Sequence, residues 1–206
     1  GMKVVFSMVR PGVKEKELEF VLREKVLEEG AEELPFCSVL SGERTAEPHG
    51  ETTGKRLEEG APLLIDASAT YGGYHSDLTR NAFLGRPPDL YLEVYEIVTK
   101  AQEEAISRVK PGIKAKDVDS AAREVIEKSG YGERFVHRTG HGIGLEIHEE
   151  PVLHSKSREN LKAGEVLAVE PAIYSTFGVR IEDVLVVGKK ARVLTEVPRD
   201  VEFVMI

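Results

Sequence analysis

Asp66 lies in the run PLLIDASAT, whose other residues suit a buried strand. An ionised carboxylate buried without a partner costs several kcal/mol, so this position calls for a cation. Asp77 follows eleven residues later, in YHSDLTR, across an expected hairpin. Cross-strand neighbours lie roughly 5 Å apart, close enough for two acids to face one another. The arrangement returns further on, with Glu170 in VLAVEPAIY and Glu182 in VRIEDVL. Four bare carboxylates converging on one point repel and take up protons, whereas two divalent cations cancel their formal charge. Separate salt bridges, to Arg80 and Arg180 for example, are the plainer alternative for any one acid. The recurrence in both halves favours a shared metal site. His141, in RTGHGIGLEIHEEP, adds an imidazole. Gly140, Gly142 and Gly144 clear side chains from around it, so that a backbone or a ligand can come close. This glycine-rich run lacks the Lys-Ser/Thr ending of a phosphate loop.

Other side chains are candidates for the same site. His148, seven residues past His141, is expected to share its face by strand alternation. His49, in EPHG, precedes Asp66 by a loop and a strand, and His137 stands just upstream of His141. Arg180 lies two residues before Glu182 on the same strand face and is expected to orient that carboxylate. His154 is read as a surface residue, and Cys37 as a small buried hydrophobe.

The elements that must position these residues come from a duplicated unit. VRPGVKEKELEFVLREKVLEEG from Val9 and VKPGIKAKDVDSAAREVIEKSG from Val109 match at a constant offset. Pro11, Gly12, Lys14, Lys16, Arg23, Glu24 and Gly30 each meet their own kind one hundred residues on. LEEGAPLLIDASATY from Leu57 overlies LKAGEVLAVEPAIY from Leu161, which sets Asp66 on Glu170; further along, Asp77 falls on Glu182. Each unit predicts a helix, about Lys14 to Glu29 and Lys116 to Lys128, stopped by Gly30 or Gly130. Strands are expected over Pro62–Thr70, Tyr74–Leu84, Val166–Ser175 and Val179–Val187. A long helix is expected over Leu90–Val109, with only Met2–Met8 left for its counterpart in the first unit.

These motifs resemble the catalytic domain of the metallopeptidases with the pita-bread fold: Xaa-Pro dipeptidase, Xaa-Pro aminopeptidase and methionine aminopeptidase. LIDASATYGGYHSDLTR, HRTGHGIGLEIHEEP, VEPAIY and GVRIEDVLVV carry the resemblance, which is nearest to the Xaa-Pro branch. It implies an α+β pita-bread (creatinase/aminopeptidase) fold, with pseudo-twofold helix-plus-hairpin units around a curved antiparallel sheet. The single catalytic domain would span 2–206, with pseudo-repeats about 2–85 and 90–206 and without the family's usual N-terminal domain. Asp66, Asp77, His141, Glu170 and Glu182 would be the metal ligands, with Asp77 and Glu182 bridging. His49, His137 and His148 would surround a short peptide substrate, and Glu170 would shuttle the proton. The oxygen-rich set suits two ions of manganese or cobalt, with zinc or iron as alternatives. Ser68 and Ala172 replace usual glycines. Val152 stands where Xaa-Pro dipeptidases commonly carry an arginine that reads the dipeptide carboxylate, which counts against strict dipeptidase selectivity. A non-catalytic binding module on the same fold and a creatinase-like C–N hydrolase are the rival readings.

Composition bounds the rest. The chain has 206 residues, 31% of them charged, and a net charge of -8. The negative balance argues against nucleic acid as a default partner. No apolar run is long enough to cross a membrane and no signal pattern opens the chain. One cysteine fits a reducing, cytoplasmic setting. The shortened first helix would leave apolar surface that a homodimer could cover.

Overall fold

The structure is a computed structural model and describes residues 1–199. The first half runs α1 (Met2–Met8), α2 (Glu15–Glu28), β1 (Glu33–Ser41), a 3-10 turn (Gly42–Ala46), β2 (Pro62–Tyr71), β3 (Tyr74–His75) and β4 (Leu78–Phe83). The second runs α3 (Asp89–Arg108), α4 (Ala115–Lys128), a 3-10 turn (Gly132–Arg134), β5 (Gly140–Gly142), β6 (Glu149–Leu153), β7 (Val166–Val169), β8 (Ala172–Tyr174), β9 (Gly178–Arg180), β10 (Asp183–Val186) and β11 (Arg192–Val193). The buried residues of α3 are Tyr91, Val94, Tyr95, Val98, Ala101, Gln102 and Ala105. Steps of three and four give that helix one face for the core. No helix of the described residues is long and apolar enough to cross a membrane.

Every strand pairing is antiparallel. β2 is central in the first half, with β1 on one edge and β3 then β4 on the other. The second half orders its strands β11–β10–β7–β5–β6, and β8 pairs with β9 apart from them. The helices pack the apolar sides of both halves into one cluster, running from Leu18, Leu22 and Ile65 to Val98, Ile126, Leu167 and Leu185.

Matching residues make matching hydrogen bonds. The Gly12 N–H donates to Leu57 O at 2.8 Å, and the Gly112 N–H to Leu161 O at 2.8 Å. The returning bonds, Leu57 N–H to Val13 O and Leu161 N–H to Ile113 O, are also both 2.8 Å. Arg23 holds Leu34 O at 2.8 Å, and Arg123 holds Phe135 O at 3.0 Å. α1 has 7 residues where α3 has 20.

Three strands expected to be continuous are broken. Asp77 falls between β3 and β4, Glu170 between β7 and β8, and Glu182 between β9 and β10. At each break the chain leaves its ladder, so the acidic side chain is free of the alternation its neighbours obey. Asp66 alone among the four acids stays inside an unbroken strand, paired with Thr79 rather than with Asp77. β1, β5 and β6 were not foreseen as strands.

Candidate metal centre

Asp66, Asp77, His141, Glu170 and Glu182 line one cavity of about 550 Å³. Within it, one ligand atom from each of Asp77, His141 and Glu182 lies within 4.8 Å of the other two, all three side chains being buried. Asp77 and Glu182 come from different halves, so this triad sits on the seam between them. Glu170 is also close, its Oε1 being 3.8 Å from His141 Nε2. Asp66 lines the cavity, and its Oδ1 is buried and has no hydrogen-bond partner among the described residues.

Local bonds dictate what His141 offers. Its Nδ1–H donates to Gly142 O at 2.9 Å. Burial pushes its pKa down to about 4, against a smaller opposing effect from the Gly142 carbonyl. The ring is therefore neutral near pH 7, and Nε2 carries a lone pair. That lone pair stands 3.8 Å from Asp77 Oδ2 and from Glu170 Oε1. A lone pair facing two carboxylates is repulsive unless a cation lies between them. The acids carry the same signal. Burial, and then the charges of Asp66 and Glu170, push Asp77 up to about 8. Burial pushes Glu170 up to about 7, and burial with the charge of Asp77 holds Glu182 well above the carboxylate range. Acids that hold protons in the absence of metal, beside an imidazole that sheds one, form a donor set suited to divalent cations.

Hydrogen bonds fix the side chains along the seam. Thr79 Oγ1–H donates to Glu182 Oε2 at 2.7 Å, and Arg80 holds Glu182 O at 2.7 Å and Asp183 at 2.5 Å. Arg180 makes no direct bond to Glu182 and reaches it through Thr79, whose Oγ1 accepts from Arg180 Nε at 3.2 Å. Its guanidinium donates to Asp66 Oδ2 at 2.5 Å, to Tyr174 Oη at 2.6 Å, to Pro48 O and to Thr79 Oγ1. The reason is the strand break: Ile181 and Glu182 leave the β9 ladder, so the two side chains no longer share a face. Tyr174 Oη accepts from Arg180, and thus turns its own hydrogen to His137 Nε2 at 3.0 Å. His137 Nδ1–H donates to Arg138 O at 2.7 Å. With both ring nitrogens engaged, His137 borders the cavity and braces Tyr174.

The other expected residues also reach the cavity. His49 and His148 line it. His148 arrives by a different route from strand alternation. The chain bends through Gly144–His148 and doubles back into β6, laying the His148 ring edge-on to His141 at 4.4 Å. His154 is corrected from a surface residue to a half-buried member of the wall. Arg138, Phe36, Pro48 and Ile147 complete the wall and were not singled out from the sequence. Val152, noted there only for the arginine it replaces, also lines it. Cys37 is half-buried, and burial pushes its thiol up to about 12.

The same chain traits can be compared with known proteins. Residues 1–189 match metallopeptidase family M24. The chain belongs to that family. It is 42% identical to Xaa-Pro dipeptidase of Pyrococcus furiosus over 196 residues, 93% of this chain and 56% of the relative. The X-Pro aminopeptidase of Thermotoga maritima superposes with a TM-score of 0.94 at 41% identity, covering 98% of this chain and 58% of that one. The Xaa-Pro dipeptidase of Bacillus anthracis gives a TM-score of 0.96 at 39% identity, covering 100% and 58%. This M24 chain thus has the pita-bread fold, and it spans little more than half the length of the relatives it matches.

Proposed function

We propose that this chain carries the catalytic site of a two-metal peptidase that hydrolyses the Xaa-Pro bond of short peptides. The observation that carries the reading is the neutral His141 Nε2, turned toward the carboxyl groups of Asp77 and Glu170, with Glu182 in the same tight group. Asp66, Asp77, His141, Glu170 and Glu182 would hold two divalent ions, of which manganese and cobalt suit the oxygen-rich set. When bound, such ions polarise the scissile carbonyl and raise the acidity of water at the site.

The protein's own groups do the rest. Glu170, on the cavity wall beside His141, takes a proton from the attacking water and passes it to the leaving nitrogen. In an Xaa-Pro bond that nitrogen is a tertiary amide nitrogen and must gain a proton to leave. His148 and His49, on the cavity wall, donate to the substrate carbonyl and backbone. Arg180 and Tyr174 hold Asp66 in place, with His137 behind them. Phe36, Pro48, Ile147 and Val152 provide the apolar wall that a proline ring needs. The relatives named as Xaa-Pro dipeptidase and X-Pro aminopeptidase support proline specificity. A cytoplasmic setting accords with the lone, unactivated Cys37.

The test is hydrolysis of Xaa-Pro dipeptides and Xaa-Pro-Xaa tripeptides by chelated protein, before and after manganese or cobalt is restored. Metal-dependent release of proline from the dipeptides, or of Pro-Xaa from the tripeptides, supports the proposal. Absence of cleavage from both peptide classes, with two ions demonstrably bound, rejects the substrate; absence of bound metal rejects the site.

A further inference from the structure

A single amide stands on the buried face of α3, among aliphatic and tyrosine side chains. It belongs to Gln102, which is 0% exposed. Its Nε2 donates to Val169 O at 3.2 Å, to Ile181 O at 3.1 Å and to Asp183 Oδ2 at 3.1 Å. Its Oε1 accepts from the Arg199 guanidinium. A guanidinium can only donate and a carbonyl can only accept, so the amide has one orientation, with the nitrogen toward the carbonyls. Val169 and Ile181 are the residues immediately before Glu170 and Glu182, and Asp183 immediately follows Glu182. One side chain thus grips the backbone just ahead of two of the acids, from the side away from the cavity, whose lining does not include it.

The grip falls where the strands stop. β7 ends at Val169, and Ile181 lies between β9 and β10. A buried carbonyl at the end of a ladder needs a donor from elsewhere. An amide nitrogen shared by carbonyls of two segments also fixes how far apart those segments lie. The first half shows what the same place holds otherwise. α1 ends at Met8 and α3 at Arg108, so Met2 takes the position of Gln102 one hundred residues on, and it too is buried. There Ile65, the residue before Asp66, is paired inside the unbroken β2 ladder. The fold fills this position with a thioether where the acid's strand continues, and with an amide where two strands part.

We infer that Gln102 is a positioning residue that holds Glu170 and Glu182 together as one ligand set while touching neither cation nor substrate. The inference rests on the proposed two-metal reading. It makes metal affinity depend on a side chain of α3 that contributes no ligand atom.

Calorimetric titration of chelated protein with manganese reads the effect without reference to activity. Gln102→Met removes the donors and places there the side chain that the first half accepts. Gln102→Glu removes the donors but keeps an acceptor for Arg199. Val94→Ala thins the buried face of the same helix about two turns away, and controls for lost packing. Both Gln102 variants should bind manganese about ten-fold or more weakly than wild type, and Val94→Ala should bind it as wild type does. Wild-type affinity in Gln102→Met, or an equal loss in Val94→Ala, overturns the inference and leaves the metal reading standing. Wild-type affinity in Gln102→Glu alone assigns the effect to Arg199 and overturns the inference as well. A wild type that binds no manganese removes the metal reading and the inference with it.

Discussion

A metal ligand is made by what its other atoms are doing. Gly142 O takes the Nδ1 hydrogen of His141, and burial keeps the ring neutral, so Nε2 keeps its lone pair for a cation. Glu182 is in a similar position: Oε2 accepts from Thr79, while Asp77 and Glu170 raise its cost of ionisation. Glu182→Gln preserves the shape and the bond from Thr79 and removes the group whose ionisation the neighbouring acids oppose. Chelated Glu182→Gln should melt at or above chelated wild type. Manganese at about one hundred times its dissociation constant should stabilise wild type by about 2.7 kcal/mol, or about 5–10 °C for a domain of this size. The variant should lose most of that rise. A variant that still gains the full increment in a thermal melt would remove Glu182 from the ligand set.

At the scale of elements, the site depends on strands that stop. Asp66 was legible because one acid in an unbroken apolar run is anomalous. The breaks at Asp77, Glu170 and Glu182 were not, because an acid within an apolar stretch looks the same whether the ladder continues or parts. The repeated helices were legible through their Pro-Gly entries and glycine stops. β5 was hidden because two of its three residues are glycines and offer no alternation to read. Those glycines answer a question the sequence left open, namely what comes close to His141. A Cβ on Gly140 would meet Ala168 O at 2.0 Å, and one on Gly142 would meet Glu150 O at 2.3 Å; it is backbone that approaches. Gly140→Ala should therefore push β5 away from β7 and cost about 3 kcal/mol or more. Gly112→Ala is the control. Its Cβ would have open space around it but a φ of +88°, so the cost should be about 1 kcal/mol. Equal losses in denaturant melts would mean that close approach is not what Gly140 provides.

For the molecule as a whole, the two units meet through bonds that no local pattern displays. Arg180 reaches Asp66 across 114 residues, which is why sequence spacing assigned it to its neighbour Glu182 instead. The seam is dense. Asn81 Nδ2 donates to Arg180 O at 2.6 Å, Arg80 holds Glu182 O, and the Glu182 N–H donates to Thr79 O at 3.3 Å. The buried triad draws Asp77 from one half and Glu182 from the other, so a cation held there links both units at the point where their strands are broken. Opening the seam in the loaded protein must release the ion or leave it short of ligands, and the opening equilibrium should shift by the binding free energy. Native-state hydrogen exchange checks this directly. Manganese should slow exchange at the amides of Thr79 to Asn81 and of Arg180 to Glu182 together, by about one hundred-fold at one hundred times the dissociation constant. Amides in α1, which contributes nothing to the site, should slow only where they exchange by global unfolding. Protection confined to one half would place the cation on one unit's acids alone, and the seam would then be a packing interface without a part in holding the metal.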